Sequence, residues 1–151
     1  MCGSMPLDYA RWFPGIGTIN VDFRETSLPH YHNCIAYAAG DNIRAWWPDK
    51  FPPNSRDYWP NGVPHGDEAL DTFIQAFATI DYKPCKDGKH EVGFEKVAFY
   101  AIGNEVKHAA RQQLDGSWRS KLGKQEDIEH KLEGLEGDEY GYVVGFVKRP
   151  I

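Results

Sequence analysis

Hydrophobic residues recur at helical spacing in one part of this chain and alternate with polar residues in another. Over residues 66–79 the apolar positions follow a period of about 3.6 residues, which is typical of an amphipathic helix. These positions are Ala69, Leu70, Phe73, Ile74, Ala76 and Phe77. The stretch therefore predicts a helix whose apolar stripe packs on a core.

The pattern changes to a period of two after residue 93, which predicts β-strands. Residues 94–102 and 105–112 flank the dipeptide Gly103-Asn104, a composition typical of a hairpin turn. Asp115-Gly116 marks a second tight turn before a strand over residues 117–122. These segments predict a three-stranded antiparallel meander, and an apolar run within residues 140–148 predicts a final strand.

A shorter helix is expected earlier, between an N-cap at Asn33 and a C-terminal glycine at Gly40. Residues 1–29 lack periodicity and predict an irregular arm, with a strand at 18–23. The remaining segments predict a long Trp- and Pro-rich loop over 43–67, a polar turn region over 82–91 and a short polar helix or turn over 127–135. The order of elements indicates one α+β domain, 1–151, with an antiparallel sheet of about four to five strands.

Composition narrows the class of protein. The 151 residues carry a formal net charge of −5, which argues against nucleic acid as a partner. No run approaches the 18 apolar residues that a membrane-spanning helix needs, so no membrane contact is expected. Since no secretory signal peptide is visible and only three cysteines are present, we expect a cytoplasmic protein, or one delivered without such a signal.

Cys34 is the first candidate for chemistry, because it opens the short helix directly after Asn33. The positive end of a helix dipole stabilises a thiolate and lowers the pKa of a thiol, as a nucleophilic cysteine requires. The alternative is a packing role, since cysteine is among the residue types most often buried.

A cysteine nucleophile needs a general base, and histidine is the usual one. Of the six histidines, His108 alone falls inside a predicted strand of the meander. Strict alternation there places Val106, His108 and Ala110 on one face, toward a covering helix. The alternative is a core histidine bonded to a backbone carbonyl.

A cysteine at a helix start followed by a histidine in an antiparallel strand resembles the papain-like cysteine hydrolases, most closely the NlpC/P60 and CHAP amidase-peptidases. The resemblance rests on Asn33-Cys34 and on residues 106–110 around His108, and it implies a nucleophile helix packed on the sheet. The Ser-Gly that usually follows the NlpC/P60 cysteine is Ile35-Ala36 here. Residues 30–150 also resemble a small bacterial family of unknown function.

The resemblance implies a peptidase or amidase in which His108 deprotonates Cys34 for attack on an amide or thioester carbonyl. A third residue would orient the imidazole, and Ser120, His130 and Asp115 all remain candidates. The substrate-binding residues are predicted to be Asn33, Trp46 and Trp47, the two tryptophans forming a cleft wall. The alternative for the tryptophans is that they attach the long loop to the core.

Metal binding and protein binding are the two alternatives to a hydrolase. His30, His32 and Cys34 alternate, but they have no rigid scaffold and no second ligand cluster, so no metal or other cofactor is expected. The stronger rival is a non-catalytic domain, such as a degenerate papain-like domain or an immunity or adaptor protein, that binds a protein partner instead of a peptide or amide substrate. The sequence does not identify a substrate or an oligomeric state.

Overall fold

The computed structural model describes residue 13 and residues 20–22, 32–49, 57–122 and 126–151. Within these ranges the protein is built mostly from β-strands. The strands are β1 (Asn20–Asp22), β2 (Ala45–Trp46), β3 (Asp57–Tyr58), β4 (Lys83–Cys85), β5 (Phe94–Ile102), β6 (Glu105–Gln112), β7 (Trp118–Leu122), β8 (Glu126–His130) and β9 (Tyr142–Pro150). The helices are α1 (Cys34–Ala39), α2 (Leu70–Ala78) and a 3₁₀ turn at Leu132–Leu135.

Seven of the strands form one antiparallel sheet, in the order β1-β8-β7-β6-β5-β9-β4. The predicted hairpin is confirmed, because β5 and β6 pair on either side of Gly103-Asn104. Strands β2 and β3 form a separate parallel pair within the predicted loop.

The predicted fold class, an α+β papain-like domain with a nucleophile helix on four to five strands, is wrong. The described residues form a mostly β structure with seven strands in the main sheet and only two α-helices, of six and nine residues. The main sheet has more strands than predicted because two polar segments, expected to form turns or a short helix, are β-strands. Residues 83–85 pair with β9, and residues 126–130, predicted as helix or turn, pair with β7 and β1.

Each face of the sheet carries its own apolar core. On the first face, which we call the helix face, Val97, Phe99 and Val147 pack with α1, α2 and the two tryptophans of the loop. On the second face, which we call the tyrosine face, Ala98, Tyr100 and Ala110 pack with Leu135 and Tyr140. The β-sheet backbone therefore separates the two sets of side chains.

A β-bulge in β6 places Val106 and His108 on opposite faces of the sheet. Tyr100 pairs with His108, but the next residue, Ala101, pairs with Val106, so Lys107 is an extra residue in β6. An extra residue moves the side chains that precede it to the other face. Val106 and Ala109 accordingly lie on the helix face, while His108 and Ala110 lie on the tyrosine face. The predicted sharing of one face by Val106, His108 and Ala110 is wrong for this reason.

Candidate functional site

Cys34 begins helix α1, as predicted from its capping residues. The side chain of Asn33 accepts a hydrogen bond from the backbone N–H of Ala36 at 3.0 Å, and Gly40 ends the helix in a left-handed conformation with φ of 85°. Cys34 itself is fully buried in the core of the helix face. Its sulfur is engaged in a disulfide, so it is not a free thiolate in this structure.

Asn33 has a structural role beyond the cap. Its Nδ2 donates to the carbonyl of Trp46 at 2.9 Å, and its Oδ1 also accepts from the Trp46 N–H at 3.2 Å. One buried amide therefore joins the start of α1 to strand β2. Asn33 was predicted to bind substrate, but its polar atoms are used within the fold.

Substituting Asn33 with alanine should lower the free energy of unfolding by about 3 kcal/mol, because a cap is lost and two backbone groups of Trp46 are left buried without this partner. Urea denaturation of the purified variant measures the change. Asn33→Ser is the matched control, since serine also caps helices but does not reach Trp46. Equal losses in the two variants would show that the cap contributes nothing, and an Asn33→Ser variant as stable as the unmodified protein would show that the link to Trp46 contributes nothing.

The two predicted cleft residues, Trp46 and Trp47, are buried in the helix-face core. Trp46 lies 5.9 Å from Phe77, and Trp47 lies 5.6 Å from Phe73, between ring centroids. The indole N–H of Trp46 donates to Asp41 at 2.9 Å. These contacts attach the loop to α2 and agree with the alternative that the tryptophans serve packing.

His108 lies on the tyrosine face in an aromatic enclosure. Its ring stacks on Tyr140 with centroids 4.0 Å apart and planes inclined by 8°, and Tyr100 meets it edge-on at 5.5 Å. The residue is fully buried, and neither ring nitrogen has a hydrogen-bond partner among the residues that the structure describes. Burial, with a smaller contribution from nearby His130, holds the pKa of His108 well below its usual value. Its imidazole is therefore neutral at pH 7.

Ser120 and His130 form a hydrogen-bonded pair on neighbouring strands of the same face. The Oγ of Ser120 lies 2.6 Å from Nε2 of His130, whose Nδ1 lies 2.7 Å from the backbone carbonyl of Lys131. Because a carbonyl only accepts, Nδ1 carries the proton and Nε2 accepts from the serine hydroxyl. Both residues are buried, and burial lowers the pKa of His130 to about 4.

The predicted catalytic residues thus divide into two groups. His108, Ser120 and His130 lie together on the tyrosine face, whereas Cys34 lies in the core of the helix face. The predicted Cys34–His108 pair is not formed, because His108 shares its face with Tyr100 and Ala110, on the side of the sheet opposite Cys34. Asp115, the third candidate for the orienting residue, accepts two bonds from Ser117 in an exposed turn.

Two features around His108, Tyr140 and the bulge, were not predicted from the sequence. Tyr140 was predicted only as the first residue of the last strand, yet it precedes β9 and covers His108. The aromatic residue before Gly141 carries no periodic signal that indicates stacking on a histidine. Nothing in the alternating sequence of β6 indicates an extra residue either.

Three surface cavities formed by described residues lie elsewhere. One of 710 Å³ is lined by residues 59–65, one of 470 Å³ lies between the end of α1 and Ile80, and one of 290 Å³ lies beside Arg119. None of these three is lined by Cys34, His108, Ser120 or His130. Among the described residues, no group of three or more His, Cys, Asp or Glu is arranged to hold a metal ion, and no helix has the length and apolar content needed to cross a bilayer.

Comparison with known proteins gives a family but no activity. A family model described as a domain of unknown function (DUF7689) matches residues 25–148, which is most of the chain. No curated protein and no solved structure matches the sequence.

Proposed function

Since this chain belongs to the DUF7689 family, whose description carries no activity, we propose a function from its own side chains: it is a non-catalytic domain that binds another protein. The observation that carries the proposal is the position of the candidate catalytic groups. Cys34, His108, Ser120 and His130 are each at most 5% exposed. A hydrolase needs its nucleophile and base within reach of each other and of substrate.

The state of each group supports the same conclusion. The sulfur of Cys34 is in a disulfide on the helix face. His108, the predicted base, lies on the opposite face of the sheet. The Ser120–His130 pair has the hydrogen bonding of a nucleophile and a base, but a pKa of about 4 for His130 is far below the pH near 7 at which a general base works best. These buried polar groups connect strands β7 and β8 to the segment after them.

The exposed surface supports binding. Ile102, Tyr142 and Val144 are large apolar side chains with 45%, 63% and 44% of their surface exposed, and they lie at adjoining strand ends of one corner of the sheet. Exposed apolar side chains that are bordered by charge are typical of protein interaction sites. This corner carries both features, because the acidic residues 133, 136, 138 and 139 come shortly before Tyr142 in the chain.

Alkylation of the cysteines with iodoacetamide across a pH series tests the proposal, with each cysteine peptide followed by mass spectrometry. Cys85 is the internal control, because it is free, partly exposed and has a pKa raised by burial. We expect Cys34 in the folded, reduced protein to react more slowly than Cys85 at every pH, because it is fully buried. Substituting His108 with alanine should not change the pH profile of Cys34.

The opposite outcome would identify a cysteine hydrolase. In that case Cys34 would react faster than Cys85 near pH 6, and the rate would fall in the His108→Ala variant. Such a result would overturn the non-catalytic proposal whatever the protein binds.

A further inference from the structure

Strand β9 has an outer edge that is only partly covered. Strand β4 pairs with it from Lys83↔Lys148 to Cys85↔Phe146. At the other end of this edge, Gly137 forms an antiparallel bridge with Gly141. Between these two ends, no strand in the part of the chain that the structure describes pairs with residues 142–145 on the outer side, although β5 pairs with Tyr142, Val143 and Gly145 on the inner side. An uncovered strand edge presents backbone N–H and C=O groups that can pair with an added strand.

One donor of this edge is held by a side chain instead of a strand. The backbone N–H of Val143 donates to Oε2 of Glu136 at 3.0 Å. The carboxylate therefore takes the position that a backbone carbonyl of a neighbouring strand would take. Because a glutamate side chain rotates more freely than a strand moves, an incoming carbonyl can replace it in exchange for one hydrogen bond.

Apolar side chains lie on either side of this edge. Tyr142 pairs in register with Ala101, so its side chain lies on the same face as that of Ala101, while Ile102, the next residue of β5, lies on the other face. Val144 is the extra residue of a second bulge, between the pairs formed by Val143 and Gly145. A strand added along the edge would cover the exposed parts of Tyr142 and Val144.

The negative charge beside the edge favours a basic partner. Residues 132–140 contain four carboxylates, Glu133, Glu136, Asp138 and Glu139, and no Lys or Arg. Their charge of −4 compares with −5 for the whole chain, so the rest of the molecule is close to neutral. A strand that pairs here lies against a strongly acidic segment, and basic side chains would be attracted to it.

We propose that the outer edge of β9 at residues 142–145 binds an extended, basic segment of a partner protein as an added strand. This inference rests on the proposed binding function and names its surface and partner class. The backbone of the segment pairs with the Val143 N–H in place of Glu136. Its apolar side chains cover Tyr142 and Val144, and its Lys or Arg side chains lie near the acidic segment.

The test uses a fluorescein-labelled nine-residue peptide in which lysine alternates with valine, titrated into the full chain and followed by fluorescence anisotropy. We expect saturable binding that weakens as the salt concentration rises, because part of the attraction is between charges. The same peptide with glutamate in place of lysine should not bind. In ¹⁵N-labelled protein, the amides of residues 142–145 should show the largest shifts.

Two variants locate the contact. Val143→Pro removes the edge donor, which bonds a side chain and not β5, and should abolish binding. Tyr142→Ser, an exposed change expected to leave the fold intact, should weaken binding about tenfold. Val92→Ser is the matched control, since the Val92 side chain is 89% exposed and precedes Gly93, whose carbonyl accepts from Ile151 just beyond the opposite end of β9.

Several outcomes would overturn the inference. They are no saturable binding of the lysine peptide, equal binding of the glutamate peptide, or equal effects of Tyr142→Ser and Val92→Ser. Sedimentation of the protein alone as a dimer that Val143→Pro dissociates would assign the edge to a second copy of the chain instead. None of these results depends on the reactivity of Cys34, so failure here is distinct from failure of the non-catalytic proposal.

Discussion

Replacing Gly141 with alanine should prevent the protein from folding, or lower its free energy of unfolding by at least about 4 kcal/mol. A Cβ at this position would lie 1.9 Å from the backbone oxygen of Ala101 and 2.4 Å from its carbon. These atoms belong to strand β5, which is paired on both sides and has no room to move. Soluble yield and thermal denaturation followed by circular dichroism measure the effect.

Gly93→Ala is the matched control for this prediction. Gly93 also has a positive φ, 87° against 76° at Gly141, but nothing lies within 4 Å of a Cβ placed there. The control should therefore show only the cost of a left-handed conformation, about 1 kcal/mol. If the two variants were equally stable, the close approach of Gly141 to β5 would not exist in solution.

The elements of the fold that were predicted correctly are those specified by residues close together in the sequence. The β5–β6 hairpin followed from alternation around Gly103-Asn104, and α2 followed from apolar residues at helical spacing. The caps of α1, Asn33 and Gly40, were also correct, because capping depends on hydrogen bonds a few residues apart.

The parts that sequence missed depend on distant partners. Strand β4 contains Pro84 and polar neighbours, and it is a strand only because β9 accepts it at the sheet edge. Strand β8 was predicted as helix or turn, since its polar residues gain β-structure only from pairing with β7 and β1. Local propensity carries no information about either pairing.

The predicted pairing of His108 with Cys34 required both side chains to lie on the same face of the sheet. The strand position of His108 was predicted correctly, and His108 shares a face with Ala110 as alternation predicts, whereas the bulge at Lys107 places Val106 on the helix face. Alternation carries no information about which face α1 covers, and His108 lies with Tyr140 and His130 on the face opposite Cys34. A site inferred from periodicity alone therefore lacks the tertiary packing that decides which face a helix covers.

Acid should destabilise the protein between pH 6.5 and pH 4 through the buried histidines. The folded-state pKa of His130 is about 4, lowered by burial, against 6.5 in the unfolded chain. The unfolded chain therefore binds a proton first as the pH falls, and stability that is complete above pH 6.5 is lost toward pH 4. His130 alone contributes about 3 kcal/mol to this loss, and His108 adds to it with the same sign.

The contribution of His130 is best measured as a difference between variants, because other groups titrate in the same range. Burial, with the neighbouring Asp57, raises the pKa of Asp49 to about 6, and this carboxyl acts with the opposite sign. The variant His130→Gln, neutral at all these pH values, should lose the His130 part of the pH dependence in urea unfolding. His90→Gln, a change at an exposed histidine, is the control and should keep the His130 part of the pH dependence.

The same curves also bear on function, because they report the state of the imidazole that a hydrolase would use. A general base works best with a pKa near the working pH, whereas a histidine that is protonated only near pH 4 is held neutral by its surroundings. If His130→Gln and the unmodified protein gave parallel curves, His130 would titrate near its ordinary value in the folded state. Ser120 and His130 would then have to be reconsidered as a reactive pair. If instead the free energies of unfolding of the two proteins diverge by about 3 kcal/mol at pH 4, the result supports the role of this pair as a buried structural link.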